Sequence, residues 1–331
     1  MSGQNTVVQL RYPVGIQTFE KIRRNSQVYV DKTDLIYQMT REENYIFLSR
    51  PRRFGKSVLC STLKSYFEGR RDLFKGLAIE QLEQDWTAYP VIHLSLGSVK
   101  DIAPTELPRR LRGLFDVYED SYGALKGTDP GECLTELIQR LYKQSGLGVA
   151  LIIDEYDAPL LSYLDDAAAL TAVRNVMQEF YSPLKDLDPY LRFCFITGVT
   201  KFSQLSIFST INNLRNISMV DQFASICGIT ESELHRDLAS GVEALSRKLK
   251  CTVEECYAKL KEQYDGYHFV EESEDIYNPF SLMRALDDKK LYPYWFTTGT
   301  PTFLIGQLKH YNTDLTQLDD VPASAMQFDV P

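Results

Sequence analysis

Short apolar runs that end in polar or acidic residues alternate with longer stretches of helical periodicity along this chain. Tyr45-Ile46-Phe47-Leu48 ends at Ser49, Pro90-Val91-Ile92-His93-Leu94-Ser95-Leu96 follows, and Val149-Ala150-Leu151-Ile152-Ile153 runs into Asp154-Glu155. Leu191-Arg192-Phe193-Cys194-Phe195-Ile196-Thr197-Gly198 is a fourth such run, and Ala224-Ser225-Ile226-Cys227-Gly228-Ile229 is read as a fifth. Runs without polar alternation suit strands covered on both faces, as in a parallel sheet. Between them, residues 31–39, 104–122, 131–145 and 167–184 carry helical patterns, with Gly127-Thr128-Asp129-Pro130-Gly131 as punctuation. The expectation is an α/β fold with a mostly parallel five-stranded sheet flanked by helices.

The chemistry lies at the ends of these runs. After the first comes Arg50-Pro51-Arg52-Arg53-Phe54-Gly55-Lys56-Ser57, which matches the phosphate-loop pattern G-x-x-x-x-G-K-[ST] except that Arg50 replaces the first glycine. Downstream, Val58, Leu59, Leu63, Tyr66 and Phe67 recur at helical spacing until Gly69. The motif therefore has the strand–loop–helix setting in which free N–H groups at a helix N-terminus hold an anion. In this reading residues Arg50, Arg52, Arg53, Phe54, Gly55, Lys56, Ser57 and Val58 bind the nucleotide. Gly55 lets the backbone approach phosphate, Lys56 supplies a point charge, and Ser57 offers a hydroxyl to Mg2+. Pro51 holds Arg50 extended and fixes its own φ, an alternative route to the turn that glycine usually makes. The competing reading is a basic, solvated turn before an ordinary helix.

A partner acid is required on another strand. Asp154 at the end of the third run would hold the metal, and Glu155, on the opposite side of the strand, would activate a water for attack on the γ-phosphate. A loop start or helix cap is the alternative for two such acids. The fourth run ends at Thr197, Thr200, Lys201 and Ser203, where a hydroxyl or ammonium could sense the γ-phosphate. Thr197 could equally be a strand-end hydroxyl bonded to backbone. Lys56, Glu155, Thr200 and Lys201 are the catalytic candidates, and Ser57 and Asp154 the metal ligands. Arg174 and Arg215 are weak candidates for an arginine finger and better read as surface ion pairs. His93 reads as a structural histidine, and Phe19 and Tyr29 as core residues.

Val30-Asp31-Lys32-Thr33, the Arg50–Ser57 loop and Asp154-Glu155-Tyr156-Asp157-Ala158-Pro159 together resemble the predicted AAA-ATPase-like family of bacterial proteins. Ile196–Ser203, Ser206-Ile207-Phe208-Ser209, Asn212-Asn213-Leu214, Tyr264–Phe269 and Tyr277–Leu282 extend that resemblance from about Tyr12 to about Leu304. Arginine at the first loop position is usual there, and the resemblance favours Thr200 and Lys201 among the sensor candidates. It implies a P-loop NTPase core using ATP and Mg2+. Family members often carry a PD-(D/E)XK nuclease-like domain after the ATPase. No such motif precedes Pro331, so the expectation is a shortened or a stand-alone form, acting with a protein partner or a nuclease.

The expected division is a lead-in at 1–44, the ATPase core at 45–229, a helical lid at 230–310, with a winged-helix arrangement as one option, and a tail or linker at 311–331. Thr230 and Glu233 form a T-x-x-E cap at the start of the lid. Six cysteines occur without a C-x-x-C pair, which suits reduced core thiols. No run reaches membrane-spanning length and no signal-peptide core begins the chain, so a cytoplasmic location is expected. The net charge of −9 argues against bulk attraction to nucleic acid. An ATPase is the first reading. A nucleotide-dependent switch with little intrinsic hydrolysis is the second, and a degenerate loop that binds no nucleotide is the third.

Overall fold

The computed structural model describes residues 10–200, 214–270 and 273–294. Five strands, β1 (Tyr45–Ser49), β2 (Val91–Ser95), β3 (Val149–Asp154), β4 (Leu191–Gly198) and β5 (Arg215–Asn216), form one sheet in the order β2-β3-β4-β1-β5. Every pairing in it is parallel, with Tyr45 opposite Cys194 and Ser95 opposite Asp154. Every residue of β3 is buried, as its unbroken apolar sequence requires.

Helices cover both faces. On one lie α1 (Phe19–Arg24), α2 (Thr33–Glu42) and α3 (Lys56–Phe67), whose apolar residues join Ile46, Leu48, Ala150, Ile152, Phe193 and Phe195 in one core. On the other lie α4 (Pro130–Ser145) and α5 (Ala167–Tyr181), packed with Leu151, Ile153, Cys194 and Ile196. Alternate strand residues thus feed opposite cores. Local sequence fixes the helix ends. Asp129 accepts from Glu132 N ahead of Pro130, Gly146 closes α4 with φ 70°, and Asp166 accepts from Ala168 N and Ala169 N. The helical stretch read at 104–122 is broken into Leu107–Arg112, a 3-10 turn and Asp116–Tyr122.

The C-terminal portion contains α6 (Glu231–Asp237), α7 (Ala239–Leu249), α8 (Val253–Tyr264) and α9 (Pro279–Asp288), with their own apolar core. Two two-residue strands, β6 (Ile229–Thr230) and β7 (Ile276–Tyr277), pair antiparallel at its base. The T-x-x-E sequence forms a full capping box at Thr230 and Glu233, and Thr252 and Glu255 form another.

The fifth strand is not where the apolar pattern placed it. Residues 224–228 turn rather than pair, and the edge position is taken by Arg215–Asn216. Ile226 and Cys227 are buried by packing against the α3 core, not by sheet hydrogen bonding. Gly228 then bends the chain at φ 96°. A short apolar run reports burial, and burial alone does not distinguish a strand from a packed turn.

Val30-Asp31-Lys32-Thr33 explains itself in this setting, because each residue reaches a different part. Val30 joins the C-terminal core. Asp31 accepts from Thr33 N at 2.9 Å and, through its other oxygen, from Ala78 N at 2.7 Å. Lys32 donates to both carboxylate oxygens of Glu233 at 2.5 Å, an ion pair buried between the N-terminal lead-in and α6. Thr33 Oγ1 accepts from Ile79 N at 3.1 Å.

Candidate functional site

The parallel sheet brings the carboxyl ends of β1, β3 and β4 together, with β4 between the other two. Such an edge is where open α/β sheets hold ligands. The loop after β1 turns through Arg53 at φ 68° and Gly55 at φ 91° before α3 begins at Lys56. A Cβ at Gly55 would meet nothing within 4 Å, so the glycine is required by its backbone conformation and not by crowding. Lys56 is buried, and its ammonium donates to the carbonyls of Arg50 at 2.8 Å and Pro51 at 2.9 Å. Burial pushes its pKa down, while the nearby carboxylates of Asp157, Asp154 and Glu155 act in the opposite direction. Ser57 and Val58 are partly exposed on the first turn of α3, and Arg52 is exposed.

Asp154 ends β3 and is buried, and its Oδ1 has no hydrogen-bond partner. A buried carboxylate oxygen left without a donor is costly unless something binds it. Glu155 follows with φ 55°, a left-handed conformation that re-aims its side chain out of the strand. Its carboxylate lies against the α-carbon of Gly97, where a Cβ would collide with Glu155 Oε2. Desolvation first, and then the charge of Asp154, raise the Glu155 pKa above the ordinary carboxylate range. The structure therefore brings Lys56, Asp154 and Glu155 together, with Ser57 on the adjoining turn.

Around them runs a set of bonds that the sequence alone did not expose. Asp157 Oδ2 accepts from Val199 N at 2.9 Å, Thr200 N at 2.7 Å and Thr200 Oγ1 at 2.8 Å. Tyr156 donates its hydroxyl to Thr200 O at 2.9 Å and its amide to Thr197 O at 3.0 Å. Gly198 leaves room for both side chains, since a Cβ there would fall about 2.5 Å from each. Thr197 Oγ1 donates to Leu48 O at 2.7 Å, so it is the strand-end hydroxyl of the second reading. The Thr200 hydroxyl is likewise taken up by Asp157. Lys201 and Ser203 lie outside the described residues.

Arg50, Arg53 and Phe54 differ from expectation in where their side chains go. Arg50 is 1% exposed, and its guanidinium donates to the carbonyls of Ser49, Ser218, Phe223 and Ala224 at 2.8–3.2 Å. Its remaining face covers the Phe269 ring at 4.0 Å. Burial lowers its pKa to about 10, which leaves it cationic at neutral pH. In this arrangement Nη1 and Nη2 hold the backbone of 218–224 against the loop, while the buried Nε has no hydrogen-bond partner. Phe54 is fully buried, edge-on to Tyr267 at 4.5 Å and to Phe269 at 5.4 Å. Arg53 stacks over Phe280 at 4.1 Å. Arg215 is ion-paired with Glu42 and Glu43 at the sheet edge, as its second reading held.

Fold and site together define an α/β protein with a phosphate-loop core. The sequence profile of the Predicted AAA-ATPase family matches residues 13–208, and the chain belongs to that family. It is also 34% identical over 317 residues to an uncharacterized protein encoded in the vnfD 5′ region of Azotobacter chroococcum mcd 1. That alignment takes in 95% of this chain and 59% of the relative, so the chain spans little more than half of the relative's length. Among the described residues, no helix is long and apolar enough to cross a membrane.

Proposed function

We propose that this chain binds ATP with Mg2+ and hydrolyses it to ADP and phosphate, and that the nucleotide state is passed to the C-terminal helices. The observation that carries this reading is the convergence of buried Lys56 with Asp154 and Glu155 at the sheet's carboxyl edge. The donor set fits the group. Backbone N–H groups of the loop and the Lys56 ammonium suit phosphate oxygens. The Ser57 hydroxyl and the orphaned Asp154 Oδ1 suit a hard cation. When bound, the nucleotide with its metal supplies the scissile phosphoanhydride and a Lewis acid. Glu155 accepts the proton of the attacking water, and its raised pKa makes it a better base than an exposed carboxylate. Asp157 fixes the Val199–Thr200 turn between the loop and the acids, holding Thr200 in place beside the site.

The aromatic contacts supply the coupling. Arg50, Arg53 and Phe54 all lie in the phosphate-binding loop, and all touch rings from 267–280. A loop that closes on phosphate cannot move without shifting those rings. The same contacts favour a second reading, a switch whose intrinsic hydrolysis is slow until a partner engages the C-terminal helices. Steady-state phosphate release with wild type and Glu155→Gln separates the two. Turnover abolished by the substitution, with ATP binding kept, supports the enzyme. Tight Mg-ATP binding without turnover in wild type favours the switch, and no thermal stabilisation by Mg-ATP sinks both.

A further inference from the structure

Below the phosphate-binding loop, three side chains from different elements converge. Cys60 comes from α3, one turn beyond Lys56, His93 from β2, and Asp154 from the end of β3. A thiol sulfur, an imidazole nitrogen and a carboxylate oxygen from these residues all lie within 4.8 Å of one another. His93 Nε2 and Asp154 Oδ1 are both buried with no hydrogen-bond partner, although polar atoms of opposite appetite stand beside them. Buried polar atoms are nearly always paired, so two orphans facing one thiol call for an explanation.

We propose that Cys60, His93 and Asp154 form a binding site for a soft divalent cation of the Zn2+ class, which competes with the nucleotide's magnesium for Asp154. The donor chemistry selects that class. Thiolate and imidazole favour Zn2+ over Mg2+, and three protein ligands with an open fourth position are a common zinc arrangement. Ligand atoms around tetrahedral zinc are roughly 3.5 Å apart, given metal–ligand distances of about 2.0–2.3 Å. Closing the set therefore requires side-chain movements of about an ångström. The scaffold is braced for it. The Tyr118 hydroxyl accepts from His93 N at 2.7 Å and donates to His93 O at 3.0 Å, replacing a neighbouring strand at this sheet edge. That bridge holds the His93 backbone, and Asp154 is held on the fully buried β3.

Without metal, burial keeps the imidazole neutral and the thiol protonated. Binding releases the thiol proton to solvent and leaves a thiolate–metal bond, with no redox change. The metal site stands independently of the nucleotide reading. Only its inhibitory consequence rests on that reading, because only that consequence uses Asp154 twice.

Titration of the full chain with Co2+ tests the site without nucleotide. The expected result is one equivalent bound, a thiolate-to-cobalt charge-transfer absorption, and displacement by Zn2+ but not by excess Mg2+. Cys60→Ser removes the absorption, and His93→Gln weakens Co2+ by at least about tenfold. If Cys60→Ser does not fold, His93→Gln decides. No charge-transfer band in wild type, or a band of unchanged affinity in His93→Gln, overturns the site. The second arm measures Mg-ATP binding with increasing Zn2+. Inhibition that shifts at least about tenfold in His93→Gln supports competition at Asp154, and inhibition unchanged by that variant overturns it. Intact cobalt binding with no ATP binding at all supports the metal site and sinks only the nucleotide reading.

Discussion

The guanidinium of Arg50 lies 4.0 Å over the ring of Phe269, a residue 219 positions away in the chain, and so ties the loop after β1 to the C-terminal portion. Arg50 is 1% exposed, and its ring partner is partly buried against the core that contains Phe54. Where the phosphate-loop pattern uses glycine to make a turn, this chain uses arginine to organise the backbone of 218–224.

We predict that Arg50→Gly destabilises the fold. Removing the guanidinium leaves buried carbonyls at Ser218, Phe223 and Ala224 without their donor. Bonds to a charged donor are worth about 1.5–3 kcal/mol each, and their losses do not add fully, so a cost of at least about 3 kcal/mol is expected. Urea unfolding measures it. A variant with wild-type stability would show that the guanidinium is not needed to hold the 218–224 backbone.

The Lys32–Glu233 pair leads to a second prediction. Both side chains are about nine-tenths buried, and Glu233 is also committed to the Thr230 capping box. Lys32→Met strands a buried carboxylate and should cost about 3–5 kcal/mol. Lys32→Met combined with Glu233→Leu should be less damaging than the sum of the two single changes, because no charge is left uncompensated. Chemical denaturation of the full cycle gives the coupling. Strict additivity would show that the pair is not a unit.

How much of this was legible in the sequence depended on how local each signal is. The four long strands, the Gly55 turn and the capping box at Thr230 and Glu233 follow from residues within one element. Arg50 was visible as an oddity, but its partners come from 218–224 and 269, and no spacing rule connects those positions. Asp157 stands in the Asp154–Pro159 motif with no role legible from sequence, because its bonds are made to the backbone of Val199 and Thr200. The apolar pattern misplaces the fifth strand because Ile226 and Cys227 are buried, as strand residues are. The two-residue edge strand Arg215–Asn216 carries no apolar signal at all.

Gly97 gives a third prediction, one that separates positioning from stability. A Cβ at this residue would displace the Glu155 carboxylate and nothing more rigid. The end of a flexible side chain can move at little cost, so Gly97→Ala should change stability by less than about 1 kcal/mol. Under the ATPase reading, turnover should fall by about tenfold or more while Mg-ATP affinity stays within about twofold, since a misplaced base lowers kcat alone. Steady-state kinetics with a direct binding measurement shows the split. Equal losses in binding and turnover would place Glu155 among the nucleotide ligands instead.

The pH dependence of Glu155 supplies the last prediction, and its sign follows from the cause of its shift. Desolvation and the Asp154 charge both favour the protonated form, while Lys56 opposes them more weakly, so the folded-state pKa lies above the ordinary carboxylate value. Under the ATPase reading a general base must be unprotonated, and turnover should therefore fall as pH drops through that raised value, at a higher pH than an exposed glutamate would give. Stability moves the other way. Between the ordinary and the raised pKa the folded chain holds a proton that the unfolded chain has released, so unfolding free energy declines as pH rises through that window. Glu155→Gln removes this contribution. Wild type should therefore gain stability relative to the variant as pH is lowered from neutral into the acid range, while its turnover fails over the same interval. Unfolding midpoints and phosphate-release rates across one pH series check both arms. Parallel stability curves for wild type and Glu155→Gln would mean that Glu155 titrates as an exposed carboxylate, and the assignment of a poised base would fall with it.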